Sequence, residues 1–183
     1  MDSVVATAID VLNAVRMPLG PGLSTTELAN VEHEFGIEFS PDHAQLLSLV
    51  TPMGPGWADW RGDPNGIHER LSWPLDGVLY DVEHNAFWPN IWGPRPNDMA
   101  TALRVGRESM QSVPTLIPLY AHRYVLAAPA SEESSVFSVY QTEVIYYGRN
   151  IAAYFAAEFL GQPDSKPPIQ IDFWSDLAQG RWL

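Results

Sequence analysis

The chain contains no cysteine in 183 residues. Disulfide frameworks and thiolate metal sites are therefore excluded, together with the small secreted scaffolds that depend on disulfides. No apolar run reaches the roughly 18–20 residues that cross a bilayer. The N-terminal sequence MDSVVATAIDVLNAVRM opens on an acidic residue and lacks the basic start of a signal peptide. We therefore expect a cytoplasmic protein that has no contact with a membrane.

Basic residues are scarce. Ten Lys and Arg stand against 22 Asp and Glu, and the net charge is −12. Proteins that bind nucleic acid need basic side chains to neutralise phosphates, so direct nucleic-acid binding is not expected. An acidic surface suits a basic protein partner, whose approach it accelerates. The alternative is that the acids only keep the protein soluble.

Catalytic signatures are missing as well, because the sequence has no GxSxG, P-loop, GxGxxG or HExxH pattern. The tightest polar cluster is Asp81, Glu83 and His84, and with His122 it would make a small metal-dependent hydrolase. Because Glu83 and His84 are adjacent, they point in different directions on a helix or a strand. We therefore expect structural hydrogen bonds from this cluster, no enzyme activity, no cofactor and no metal.

The apolar content of 46% and the charged content of 17% are typical of a globular protein, and we expect one domain over residues 1–183. Residues 1–22 carry an amphipathic helix and the break MPLGPG, and form an N-terminal extension. Ser24 and Glu27 have capping-box spacing, with a helix stop at Gly36. A third helix starts at Ser40 and Pro41.

The middle of the chain is rich in loops. Residues 51–66 are predicted as a loop, and residues 75–83 fit a strand or a short helix, of which the helix is favoured. Asn97 or Asp98 caps a further helix that ends near Met110. From residue 114 the β-branched and aromatic segments predict antiparallel strands. A helix over Ile151–Leu160 follows, and residues 161–183 form a linker and a tail that packs back on the domain.

Tryptophans are concentrated in this middle region, which holds five of the seven between Trp57 and Trp92. Tryptophan serves either as a large core side chain or as an anchor in an interface. For any single tryptophan the core interpretation is favoured. The alternative is an exposed patch in which some of them contact a partner.

Six segments together resemble the SUKH superfamily, in particular its actinobacterial-type members. They are, in chain order, LSTTELANVEHEFGIEFSPDHAQLL at 23–47, GPGWADWR, PLDGVLYDVEHNAFW with WGPRP, YAHRY, VFSVYQTEVIYYG and FWSDL. The resemblance spans residues 23 to 177. It implies an α+β fold in which a central, mostly antiparallel sheet is flanked by N-terminal and C-terminal helices.

The resemblance also implies a binding role rather than a catalytic one. Many bacterial members are similar to immunity proteins that neutralise a cognate polymorphic toxin, often a nuclease. Other members resemble fungal regulators of cell-wall synthesis, so a regulatory adaptor that binds an endogenous signalling or cell-wall protein is the alternative. Local acid density and the loop context suggest these partner-binding residues: Trp57, Asp59, Trp60, Asp63, Asp76, Asp81 and Glu83.

Overall fold

Helices dominate the first half of the chain and a four-stranded sheet the second. The computed structural model describes residues 3–128, 134–164, 166 and 169–182. The helices within these residues are α1 (Ser3–Ala14), α2 (Thr25–Phe35), α3 (Pro41–Leu49), α4 (Pro64–His84), α5 (Met99–Met110), α6 (Ile151–Leu160) and α7 (Trp174–Ala178). A two-stranded ribbon pairs β1 (Leu19–Pro21) with β2 (Val50–Pro52). The larger sheet contains β3 (Leu116–Tyr120), β4 (Arg123–Leu126), β5 (Val136–Tyr140) and β6 (Glu143–Gly148).

The predicted helix boundaries hold at α2. The Ser24 side chain accepts a hydrogen bond from the backbone N–H of Glu27, and the Glu27 carboxylate accepts one from the backbone N–H of Ser24. Gly36 ends the helix in the left-handed conformation, with φ of 62°. The capping box and the glycine stop are therefore confirmed. Asp98 is the N-cap of α5, which settles the choice between Asn97 and Asp98.

The predicted loop over residues 51–66 is wrong at both ends, because β2 includes residues 51 and 52 and α4 starts at Pro64. The favoured short helix over 75–83 is the C-terminal part of α4, which has 21 residues. Asp63 caps this helix by accepting a hydrogen bond from the Gly66 N–H at 2.9 Å. Pro74 lies inside α4, where proline removes one backbone donor. Burial of Ile67, Val78 and Val82 along the helix stabilises it on both sides of that proline.

The larger sheet is antiparallel throughout, in the order β3-β4-β5-β6. Leu116, Tyr124 and Phe137 point to one core, while Ile117 and Val125 point to another. Because both faces are buried, the strands read as nearly continuous apolar runs and not as an alternation of polar and apolar residues. The sheet thus lies between two layers of helices, and the predicted α+β fold is confirmed.

The two helical layers come from different parts of the chain. In the first core α1 packs against α6 and α3, and Val5, Ala8 and Leu12 of α1 are buried there. In the second core α4 packs against α5, and the tail residues Phe173, Trp174 and Leu177 are buried there. Among the described residues, no helix has both the length and the hydrophobicity that crossing a bilayer requires.

Candidate functional site

The outer face of α4 carries five side chains in one line. They follow each other at steps of four and three residues, which keeps them on one side of a helix. Trp73 is 46% exposed and Tyr80 is 48% exposed, although both are large aromatic residues. Acidic side chains and aromatic rings alternate along the line. We call this set the acidic-aromatic stripe; it consists of Glu69, Trp73, Asp76, Tyr80 and Glu83, all of them exposed.

The helix that carries the stripe packs directly on the β5–β6 turn of the larger sheet. At Gly77 the helix approaches the β5–β6 turn so closely that an added Cβ would lie 2.7 Å from the Gln141 Cα. Next to this turn, at the end of β5, Tyr140 is 55% exposed, and its ring centroid is 6.3 Å from that of Trp73. The exposed aromatic surface therefore extends from the helix onto the end of β5. Because the helix and the turn are in direct contact, the surface is preformed.

The charge of the stripe is uniform. Glu69, Asp76 and Glu83 recur every seven residues, which places one carboxylate about every 10 Å along the helix axis. His84 is the ionisable base in contact with the stripe, with its Nε2 at 3.6 Å from the Glu83 carboxylate. A row of carboxylates with aromatic rings between them is suited to a basic protein surface.

A concave feature is formed by residues that precede α4 in the chain. We call it the tryptophan-loop cleft; it has a volume of about 520 Å³ and lies between the β1–β2 ribbon and the loop over residues 53–61. Three of the predicted binding residues, Trp57, Asp59 and Trp60, line it. Trp60 is nevertheless only 9% exposed, and its ring packs edge-on against that of Phe39, with 5.0 Å between the ring centroids. Trp60 is therefore a core side chain that also forms part of a cleft wall.

Trp57 also packs mainly inside the fold. Its ring centroid lies 4.8 Å from that of Tyr120 and 5.6 Å from that of Phe155. Its indole Nε1–H donates to the Met17 sulfur, with 3.4 Å between nitrogen and sulfur. Its backbone forms an isolated antiparallel bridge with Tyr120, which attaches the loop to the edge of β3. The structure thus gives Trp57 and Trp60 packing roles, and places the exposed tryptophan on α4 instead.

The predicted acidic residues divide into three groups. Asp76 and Glu83 lie on the stripe, while Asp59 and Asp63 are exposed in the segment that leads into α4. Asp81 is only 4% exposed, and its carboxylate accepts hydrogen bonds from Thr142 and from the Asn85 side-chain amide. The assignment of Asp81 to a binding surface is corrected here, because its carboxylate points into the fold.

The residues of the hydrolase alternative are dispersed. Glu83 and His84 are on the exposed face of α4 and Asp81 is on its buried face, whereas His122 lies at the β3–β4 turn and contacts the Arg123 guanidinium. Within the part of the chain that the structure describes, no group of three or more His, Asp or Glu residues is placed to hold a metal ion. The geometry therefore gives no support to a metal centre built from Asp81, Glu83, His84 and His122.

Sequence reasoning missed three members of the stripe, Glu69, Trp73 and Tyr80. The signal was available, because the steps of three and four residues from Glu69 to Glu83 are helical spacing. It was hidden by Pro74, which lies in the middle of the pattern and is a usual helix breaker. A helix predicted only over 75–83 cannot relate Glu69 and Trp73 to Asp76.

One buried polar pair lies behind the cleft. His43 is 1% exposed, and burial lowers the pKa of this imidazole to about 3. The neighbouring Asp42 is 3% exposed, and burial raises the pKa of its carboxyl group. The Asp42 Oδ1 accepts hydrogen bonds from the Ser40 hydroxyl and from the His43 backbone N–H, both at 2.9 Å. This pair affects stability, because burial disfavours the charged form of both groups.

Comparisons of the chain with protein-family models, with curated proteins and with solved structures found no match to any of them. The SUKH resemblance therefore stays a prediction from the sequence.

Proposed function

We propose that this chain is a protein-binding module that neutralises a basic toxin domain, such as a nuclease, in the cytoplasm. It binds the toxin through the acidic-aromatic stripe and covers the surface with which the toxin binds its substrate. The observation that carries the proposal is the alternation of carboxylates and exposed aromatic rings along α4. The SUKH resemblance of the sequence supports the same role.

The energetics of the stripe favour a protein partner. Exposed tryptophan and tyrosine are the side chains most often found as energetic hot spots, because they bury a large area at a low cost in side-chain entropy. Trp73 and Tyr80 lie two helical turns apart, and each has a carboxylate three or four residues away on either side. A partner that presents Lys or Arg between apolar side chains would pair with the carboxylates and cover the aromatic rings at the same time.

The charge pattern favours a nuclease-like partner among basic proteins. A surface that binds nucleic acid neutralises phosphates with Lys and Arg. The carboxylates of Glu69, Asp76 and Glu83 would take the place of those phosphates. Long-range attraction follows from the net charge of −12 and would accelerate association at low salt.

The test is titration calorimetry with the protein encoded beside this chain, carrying a substitution that inactivates its active site. We expect one-to-one binding with a Kd of about 1 nM or lower that weakens as salt rises. The double variant Asp76→Lys/Glu83→Lys should weaken binding at least about 100-fold. The matched control is Asp10→Lys/Glu34→Lys, which makes the same change in net charge on the exposed surfaces of α1 and α2.

Equal losses in the two double variants would mean that only net charge matters, and the stripe would be the wrong surface. Absence of binding at about 1 μM would remove the encoded neighbour as the target. The adaptor alternative would then be tested with basic proteins of the same cell, using the same pair of variants.

A further inference from the structure

The tryptophan-loop cleft has the size and composition of a site for one side chain or a small ligand. Its volume of about 520 Å³ is within the range of ordinary ligand pockets. The walls are mainly apolar and aromatic, with contributions from Pro21, Pro52, Met53, Trp57 and Trp60. Two charged residues, Asp59 and Arg61, complete the lining. The state of these two charges decides what the cleft can bind.

The charge of Arg61 is already compensated. Its Nε donates to the Glu27 carboxylate at 2.6 Å, while Nη1 and Nη2 donate to the backbone carbonyls of Pro21 and Gly22 at 2.9 and 2.8 Å. The hydrogen bonds from Arg61 and Ser24 also lower the pKa of Glu27 to about 2, so this carboxylate is ionised at neutral pH. Arg61 and Glu27 together contribute no net charge to the cleft.

Asp59 attracts Arg61 at longer range, but among the described residues its carboxylate forms no ion pair. Its Oδ1 accepts hydrogen bonds from the backbone N–H groups of Arg61 and Gly62, at 3.1 and 2.9 Å. These two bonds fix the orientation of the carboxylate. Among the described residues, no hydrogen bond or ion pair involves Oδ2 of Asp59. A fixed carboxylate with one free oxygen, beside tryptophan rings, is suited to a cation that carries an apolar stem.

The cleft is preformed. Gly56 has a φ of 92°, and an added Cβ would lie 2.9 Å from the Tyr120 ring, so only glycine fits at this close approach. The Gly56 carbonyl accepts a hydrogen bond from the Arg70 guanidinium at 2.9 Å, which ties the loop to α4. Packing of Trp57 on Tyr120 fixes one cleft wall. A ligand therefore has little ordering cost to overcome on the protein side.

We infer that the tryptophan-loop cleft binds an arginine side chain of the basic protein partner. The guanidinium pairs with Oδ2 of Asp59, and the aliphatic stem lies on the apolar wall that Trp57 and Met53 form. Arginine fits better than lysine, because its planar fork pairs with a carboxylate and also stacks on an aromatic ring. The inference rests on the proposed function for the origin of the arginine, and the loop that forms the cleft ends at Arg61, three residues before α4 starts.

The cleft can be tested without the partner. Nuclear magnetic resonance would follow the indole N–H signals of Trp57 and Trp60 during titration with N-acetyl-arginine methylamide. The matched control ligand is N-acetyl-citrulline methylamide, which has the same shape without the charge. We expect saturable shifts with a Kd of about 1–10 mM for the arginine compound, and binding at least about five-fold weaker for the citrulline compound.

Two variants separate the cleft from the stripe. Asp59→Asn keeps an acceptor for the two loop N–H groups, and should abolish the preference for arginine over citrulline. Asp76→Asn, on the stripe, should leave it unchanged. Equal binding of the two compounds, or an unchanged preference in Asp59→Asn, would overturn the cation site. If Asp59→Asn removed the preference but left partner affinity unaltered, the cleft would bind cations without receiving the partner's arginine.

Discussion

Asp81 of α4 holds the β5–β6 turn through Thr142. One carboxylate oxygen accepts hydrogen bonds from the Thr142 backbone N–H at 2.9 Å and from its hydroxyl at 2.5 Å. The other oxygen accepts one from the Asn85 amide at 2.6 Å. This buried carboxylate therefore joins the helix that carries the stripe to the turn that follows Tyr140, and fixes the two parts of the exposed surface relative to each other.

Asp81→Ala should lower the free energy of unfolding by about 3 kcal/mol, because it leaves the Thr142 N–H without its acceptor and removes charge-assisted bonds. Urea unfolding measures this change. The control is Asp76→Ala on the exposed face of the same helix, for which a change within about 0.5 kcal/mol is expected. Similar losses in the two variants would contradict the structural role of Asp81.

Gly77→Ala should destabilise the protein although alanine is the better helix former. In an open helix the substitution gains about 1 kcal/mol. Here the added Cβ would lie 2.7 Å from the Gln141 Cα and 3.1 Å from its backbone N, so α4 must shift away from the turn. We expect a net loss of about 1–3 kcal/mol in urea unfolding. Ser72→Ala, at an exposed position of α4, is the control and should be neutral or slightly stabilising; a stabilised Gly77→Ala variant would contradict the close packing.

Stability should fall as the pH falls below neutrality, because the pKa of His43 is lowered to about 3 in the folded protein. The unfolded chain then takes up a proton near its ordinary pKa of about 6.5, while the folded chain does not. The free energy of unfolding therefore decreases as the pH falls, by about 2 kcal/mol between about pH 7.5 and pH 5. The raised pKa of Asp42 acts in the opposite direction, since it favours the folded state at low pH.

His43→Leu should flatten this dependence when the free energy of unfolding is measured by urea across the same pH range. Any constant loss from imperfect packing does not affect the slope. His33→Gln on the exposed face of α2 is the control and should keep the slope of the unsubstituted protein. A His43→Leu variant with that same slope would show that other groups cause the acid sensitivity.

Fluorescence quenching can test the local field of the stripe. Trp73 is 46% exposed and lies between Glu69 and Asp76 on the helix surface. Relative to N-acetyl-tryptophanamide in the same salts, caesium ions should therefore quench its emission more than iodide does. The difference between the unsubstituted protein and Trp73→Phe isolates this tryptophan. The control is Trp88→Phe, since Trp88 has the Arg95 guanidinium 6.0 Å from its ring and should not show the caesium preference. An iodide-to-caesium ratio for Trp73 equal to or above that of the free tryptophan derivative would contradict an acidic surface.

Local signals in the sequence were sufficient for the parts of the fold whose stabilising groups are close in the chain. Ser24 and Glu27 are three residues apart, and Gly36 needs only its own φ angle, so the start and end of α2 were predictable. The antiparallel strands after residue 114 were predictable for a similar reason, because their β-branched and aromatic residues have high strand propensity, and two-residue turns join β3 to β4 and β5 to β6.

Local signals failed where a distant contact outweighs a local preference. Pro74 and Gly77 are both unfavourable inside a helix, and sequence reasoning shortened α4 accordingly. Packing of Val78 and Val82 in the second core, and of Gly77 on Gln141, retains the helix through both residues. The full length of α4 therefore depends on residues more than 60 positions away.

The same distinction applies to the candidate surfaces. The sequence by itself determined the acidic charge, the lack of cysteine and the concentration of tryptophan, because these are properties of composition. Only the tertiary structure decided that Asp81 is buried on Thr142, that Trp57 and Trp60 pack inside, and that Trp73 and Tyr80 face solvent. Exposure depends on what covers a side chain. Thr142 covers Asp81, and Tyr120 and Phe155 cover Trp57; all three follow much later in the chain. Phe39, which covers Trp60, lies about twenty residues before it, beyond the reach of local signals.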